Sequence, residues 1–273
     1  MKDTLTLTLV QSGLFWEDKA RNLQQFEEKI KALSQKTEIV ILPEMFSTGF
    51  SMNVHSLAET MDGSAVEWMK RVSAEQRIVL TGSLIIKEKD AAGHERFYNR
   101  LIWMLPNGQY GVYNKRHLFA YANEDDHFSA GEKRLIASVK EWKINLQICY
   151  DLRFPVWARQ AVKKESDGWS GLYDVLIYVA NWPERRSQAW KTLLQARAIE
   201  NQCYVVGVNR VGKDGHGIEH SGDSMVIDPL GEILYHKKNE EDVFTISLDK
   251  NHLNDVRRKF PFWKDADHFQ IYS

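Results

Sequence analysis

Cysteine is scarce in this chain: Cys149 and Cys203 are the only two among 273 residues, too few for a secreted disulfide scaffold. That scarcity fits a reduced compartment. An excess of one charge is missing too, with Lys+Arg at 36 against Asp+Glu at 37, so no global field would draw the chain to nucleic acid or an anionic membrane. No apolar run has the length of a transmembrane helix. The opening Met1–Val10 alternates Thr with Leu and lacks the continuous apolar stretch of a signal peptide. A cytoplasmic protein with no nucleic-acid or membrane partner is expected. Internal repeats, low-complexity tracts, linkers and long blocks of like charge are also absent. A single domain, 1–273, is therefore expected, of a size that buries roughly three quarters of its unfolded surface.

What the chain does contain is hydrophobic periodicity that switches between strand and helix spacing. Leu5, Leu7 and Leu9 share one face of a first strand; Leu23, Phe26, Ile30 and Leu33 then recur at helical spacing. A second strand, Ile39–Leu42, stops at Pro43, and a helix with Val66, Met69 and Val72 on one side follows, for which Ser64 is the expected N-cap. Ile78–Ile86 is a third strand. Leu101–Leu105 and Tyr110–Tyr113 read as a hairpin about Asn107-Gly108, a pair that tolerates the positive φ of tight turns. Lys143–Ile148, Asp174–Ala180, Tyr204–Val208, Ser224–Ile227 and Ile233–Tyr235 are further strands, with a helix over Ser187–Glu200. This alternation predicts an α/β layered fold whose mixed sheets are covered by helices.

Three ionisable residues stand at the exits of three of these strands: Glu44, Lys115 and Cys149. Ligands of open α/β sheets bind beyond the carboxyl ends of strands, so residues remote in sequence can converge there. Their chemistry is complementary. A carboxylate can accept a thiol proton, an ammonium can stabilise an oxyanion, and a thiolate can attack an acyl carbon, with the next backbone N–H as a further oxyanion donor. Each residue alone has a plainer reading: an isolated cysteine is most often a small buried hydrophobe, and Glu44 or Lys115 alone would be a cap or a surface charge.

The contexts Leu42-Pro-Glu44-Met-Phe, Tyr113-Asn-Lys115-Arg-His-Leu and Ile148-Cys149-Tyr-Asp-Leu-Arg-Phe-Pro155 resemble the three signatures of the nitrilase (carbon–nitrogen hydrolase) superfamily, in the order Glu, Lys, Cys. The resemblance implies a four-layer αββα sandwich, a site with no cofactor and no metal, and homodimers formed across a helical face. Cys149 is then the nucleophile, Glu44 the general base and Lys115 the cationic stabiliser of the tetrahedral intermediate. Glu124 matches an additional glutamate that orients the lysine or steers protons. The backbone N–H of Tyr150 matches the second oxyanion donor.

Within the superfamily, Cys149–Pro155 together with Ala180-Asn-Trp-Pro183 is most similar to the omega-amidase branch. That likeness implies hydrolysis of the terminal amide of small dicarboxylic acid monoamides such as 2-oxoglutaramate or 2-oxosuccinamate, through a thioester, giving ammonia and a dicarboxylate. Arg153 and Arg116 are both candidates to grip the substrate carboxylate, and Arg153 can equally pair with Asp151 or Glu184 to brace the bend. Phe119, Tyr121 and Trp182 can wall a short carbon chain, and Asn181 is a further substrate-binding candidate. The alternatives are a deaminated glutathione amidase, an N-carbamoyl hydrolase, a nitrilase, or a non-catalytic scaffold that keeps the fold. His117, close to Lys115, raises a Cys–His pairing, although papain-like or caspase-like surroundings are missing. His216 and His220, in a glycine-rich loop, fit a position near the pocket or a dimer surface better than a metal site. Cys203, at the entry to an apolar strand, is expected in the core.

Overall fold

A computed structural model describes residues 3–165, 168–267 and 269–271, the side chains of 162–165, 168 and 169 excepted. The strands are β1 (Thr4–Gln11), β2 (Ile39–Ile41), β3 (Val79–Lys89), β4 (Glu95–Met104), β5 (Tyr110–Asn114), β6 (Leu135–Val139), β7 (Trp142–Ile148), β8 (Val162–Glu165), β9 (Gly168–Gly171), β10 (Val175–Ala180), β11 (Tyr204–Asn209), β12 (Val211–Lys213), β13 (Glu219–Ile227), β14 (Ile233–Lys238) and β15 (Asp242–Asp249). The helices are α1 (Lys19–Lys31), α2 (Val54–Leu57), α3 (Ser64–Gln76), α4 (Glu124–His127), α5 (Pro155–Ala158), α6 (Ser187–Asn201) and α7 (Lys250–Lys259). One mixed sheet runs β15-β1-β2-β3-β4-β5 and the other β12-β13-β11-β10-β7-β6 with β14 beside β13; β8 and β9 pair apart.

The period of two along each strand decides what the sheets face. In β1 and β2, Leu5, Leu7, Leu9, Ile39 and Ile41 belong to the core shared with the second sheet, whose Ile144, Leu146, Ile177 and Val179 alternate in the same way. The intervening Val10, Val40 and Leu42 join Phe26 and Ile30 of α1 and Val66, Met69 and Val72 of α3. On the far side of the second sheet α6 buries Trp190, Leu194 and Ala198. It comes so close to β11 that a Cβ on Gly207 would lie 2.6 Å from Leu194. Helix, sheet, sheet and helix are thus stacked in four layers, the αββα order, and each fully buried Leu or Ile contributes roughly 1.5–3 kcal/mol.

One local expectation is corrected. Ser64 does not cap α3; the N-cap position is Gly63, and the carboxylate of Glu59 reaches in to accept from the Ala65 and Val66 N–H groups at 2.9 and 3.0 Å. A side chain five residues upstream therefore does what a serine hydroxyl would do at the helix start. Five strands are absent from the sequence reading, β6, β8, β9, β12 and β15; of these β15 is an edge strand of the first sheet and β6 an edge strand of the second. In β15, Phe244-Thr-Ile-Ser-Leu248 carries the alternation that would have revealed it.

Candidate active site

The strand exits converge as expected. β2 stops at Pro43, which has no N–H to continue the ladder, and the chain turns sharply: Met45 takes φ +44° and donates its N–H to Ser83 Oγ at 2.8 Å. Glu44 is held inside that turn, fully buried. Lys115 leaves β5 with its N–H on Asn99 O at 2.9 Å and its carbonyl on Gly131 N at 2.8 Å, so its main chain is pinned on both sides. Cys149 leaves β7 with φ +43° and opens a short 3₁₀ turn, Cys149–Arg153. A left-handed conformation on a non-glycine residue costs of order 1–3 kcal/mol and persists only where the surroundings over-determine it.

Lys115 Nζ sits between two carboxylates, 3.0 Å from Glu44 Oε1 and 2.8 Å from Glu124 Oε2. Glu124, at the start of α4, also accepts the Phe119 N–H at 2.7 Å. Asn99 Nδ2 bridges the two acids, at 2.8 Å from Glu44 Oε1 and 3.2 Å from Glu124 Oε1. The second oxygen of Glu44 accepts the Asn181 N–H at 2.8 Å, while Asn181 Nδ2 donates to the Glu44 carbonyl. The Cys149 thiol is hydrogen-bonded to the Glu44 carboxylate, with the Asn181 backbone N–H beside it.

Burial pushes the Cys149 thiol well above its ordinary range; Glu44 pushes the same way, and Lys115 opposes both. The resting sulfur is therefore a neutral thiol whose proton points at a carboxylate. Burial would lower the Lys115 pKa, but Glu124, Glu44 and Cys149 together outweigh it and raise it, so the ammonium stays charged. Glu124 is raised, by burial first, against the pull of Lys115 and with the push of Glu44. Such a set can pass a thiol proton to Glu44 while a cation waits for a developing oxyanion.

A cavity of about 240 Å³ opens over the sulfur, lined by Phe119, Tyr121, Tyr150, Trp182 and Asn181 among others. Arg153, Arg185 and Arg186 stand on its wall, and none of the three pairs with a carboxylate among the described residues. Arg153 lies over the Trp182 ring at 5.1 Å and Arg186 over Phe119 at 5.1 Å. The β12–β13 hairpin brings His216, in its turn, and His220, in β13, to the cavity lining; burial and then Arg210 push His220 down to about 4, which keeps it neutral.

Arg116 is a correction. Its guanidinium donates to Gly131 O at 3.1 Å and lies over Trp157, away from the cavity, because successive residues after a strand point to opposite sides and Lys115 takes the inward one. Asn181 lines the cavity, yet its backbone N–H and its side-chain amide nitrogen both donate to Glu44. The bracing partners considered for Arg153 are engaged elsewhere: Glu184 with Lys238 at 3.8 Å, and Asp151 with Tyr113, His117 and the Ile148 N–H. His117 Nδ1 is 2.8 Å from Asp151, and its ring is stacked on Phe154, so it forms no pair with Cys149.

Sequence reasoning missed Asn99, Asn209 and Arg185 with Arg186. Asn99 is a fully buried polar residue in the middle of β4, where an amide needs a polar partner, and its Nδ2 finds two in Glu44 and Glu124. Asn209 accepts the Trp182 N–H at 2.8 Å and donates to Trp182 O at 3.0 Å, fixing the loop that carries Asn181. The readable signal for both was an amide side chain interrupting an apolar strand. For the arginines, adjacency to Trp182 was the signal.

The carbon–nitrogen hydrolase family model matches residues 6–258. Omega-amidase YafV of Escherichia coli K12 is 39% identical over 272 residues, covering 98% of this chain and 99% of that protein. The 2-oxoglutaramate amidase of Bacillus subtilis strain 168 is 30% identical over 263 residues, covering 95% and 96%. The crystal structure of XC1258 from Xanthomonas campestris, a CN-hydrolase superfamily protein with an arsenic adduct in its active site, superposes with a TM-score of 0.92 at 40% identity, covering 98% and 99% of the two chains. The chain belongs to the carbon–nitrogen hydrolase family, within the nitrilase superfamily.

Proposed function

We propose that this protein is an omega-amidase that hydrolyses the terminal amide of small dicarboxylic acid monoamides. The observation that carries the reading is a buried acid–ammonium–thiol cluster beside a cavity whose lining also presents three guanidiniums without carboxylate partners among the described residues. The volume, about 240 Å³, is below the roughly 300 Å³ at which pockets for drug-sized ligands begin, and suits a short chain with an amide at one end and a carboxylate at the other. The activities named for the two relatives agree with that substrate class. Glu44 takes the thiol proton, Cys149 attacks the amide carbon, and Lys115 with the Tyr150 N–H holds the oxyanion. Protonated Glu44 then delivers its proton to the departing ammonia, and water, deprotonated by Glu44, opens the thioester. Glu124 keeps Lys115 in register, and Arg153 grips the distal carboxylate.

Ammonia release from 2-oxoglutaramate beside glutamine, a nitrile and an N-carbamoyl amino acid tests the reading. Turnover concentrated on the oxo-acid monoamide is expected; preference for the nitrile or carbamoyl compound overturns it. The proposed setting is the cytoplasm, with both cysteines free; among the described residues no helix is long and apolar enough to cross a membrane. The proposed assembly is a homodimer across the face bearing Val156, Ile199, Leu230 and Ile233, apolar side chains left exposed. Sedimentation of Ile199→Glu against the parent chain checks it.

A further inference from the structure

Asp151 is a fully buried carboxylate that takes no part in the proton transfers above. Its Oδ1 accepts from the His117 N–H at 2.9 Å and lies 2.8 Å from His117 Nδ1; its Oδ2 accepts from Tyr113 Oη at 2.6 Å and from the Ile148 N–H at 3.1 Å. These donors are not scattered. Tyr113 and His117 flank Lys115 two residues on either side, while Ile148 precedes Cys149 and Asp151 follows it by two. One carboxylate thus ties the exit of β5, in the first sheet, to the exit of β7, in the second.

The direction of the Tyr113 bond is determined. Tyr113 Oη already accepts from the Arg116 N–H at 3.2 Å and from Trp157 Nε1 at 2.9 Å, so its own hydrogen can go only to Asp151. Burial, followed by the negative charge of Asp151, raises the Tyr113 pKa well above its ordinary value and keeps that hydrogen in place. A carboxylate satisfies donors on both of its oxygens; an amide of the same shape cannot, because its nitrogen would face two donors on one side or the other. The strained φ of +43° at Cys149 needs such over-determination from its neighbours.

We propose that Asp151 is a positioning residue that sets the spacing between the Lys115 ammonium and the Cys149 sulfur. The inference rests on the reading of Cys149 and Lys115 above. In Asp151→Asn the two strand exits separate, and a misplacement of about 1 Å between reacting groups lowers kcat on the order of 100-fold, with KM little changed. The pH midpoint for iodoacetamide alkylation of Cys149 moves upward, since the sulfur loses the nearby ammonium, an effect that a general loss of stability does not produce. His117→Phe keeps the stack on Phe154 and removes one bond to Asp151 at a side chain that is 23% exposed, so it folds and shows a smaller change of the same kind.

The experiment measures kcat, KM and the alkylation profile of wild type, Asp151→Asn and His117→Phe. Lower kcat with a raised alkylation midpoint in Asp151→Asn supports the proposal. A folded Asp151→Asn with wild-type kcat and an unshifted midpoint overturns it. Should Asp151→Asn fail to fold, His117→Phe decides by the same two criteria. A wild type that cleaves no monoamide defeats the substrate reading alone, and the alkylation comparison still judges Asp151.

Discussion

Replacing Lys115 with Met removes the ammonium and keeps most of the side-chain volume. At an effective dielectric near 20, each contact of 2.8–3.0 Å with Glu124 or Glu44 carries about 5–6 kcal/mol of attraction. Much of that is offset by the desolvation of three buried ionisable groups, and breaking a buried pair costs about 3–5 kcal/mol net. The variant should therefore fold with reduced stability, and melting should fall by about 10 °C. Turnover should fall about 10²–10³-fold with the loss of the oxyanion donor. The stability deficit should also depend on pH. Glu124, raised above its ordinary 4.5 by burial even with the ammonium present, rises further without it. Between the unfolded and folded pKa values the folded variant binds more protons than the unfolded one, so its stability falls as pH rises. Thermal melts at about pH 5 and about pH 8, with kcat at each, test this. A Lys115→Met protein with wild-type kcat, or with a deficit that shrinks as pH rises, refutes the reasoning.

Glu44→Gln should lose turnover about 10²–10⁴-fold as the general base disappears. Its Cys149 should nevertheless alkylate with a lower pH midpoint, since the Glu44 charge helps to raise the thiol pKa; mass-resolved alkylation decides, and an unchanged or higher midpoint counts against the electrostatics. Arg153→Leu should raise KM for a carboxylate-bearing monoamide about 10–100-fold, the worth of a hydrogen bond to a charged group, while leaving an uncharged short amide unaffected. Arg116→Met, whose side chain points away from the cavity, should stay within about 2-fold on both substrates; a large KM effect there would reverse the assignment of the carboxylate partner.

Glu44, Lys115 and Cys149 were legible because each sits directly after an apolar run, and a strand's exit is a place a one-dimensional pattern can mark. The four-layer order was legible through family resemblance; periodicity alone reached only mixed sheets covered by helices. Asn99, Asn209 and Asp151 were not assigned because their roles depend on which donors face them across two sheets. Ser64 was misread for a similar reason. Glu59, whose backbone bridges to Ile86 of β3, swings its carboxylate over the start of α3, and local propensity cannot see that.

The amino-acid sequence by itself determined the alternation of elements and the strand-exit positions of Glu44, Lys115 and Cys149, because hydrophobic period and strand-terminal position are properties of neighbours along the chain. Tertiary structure alone decided which arginines face the cavity, that Lys115 lies between two acids, and that one carboxylate joins the two strand exits. Those outcomes arise where the two sheets meet, among residues up to 137 positions apart. Their energies depend on distance and burial, which separation along the chain does not encode.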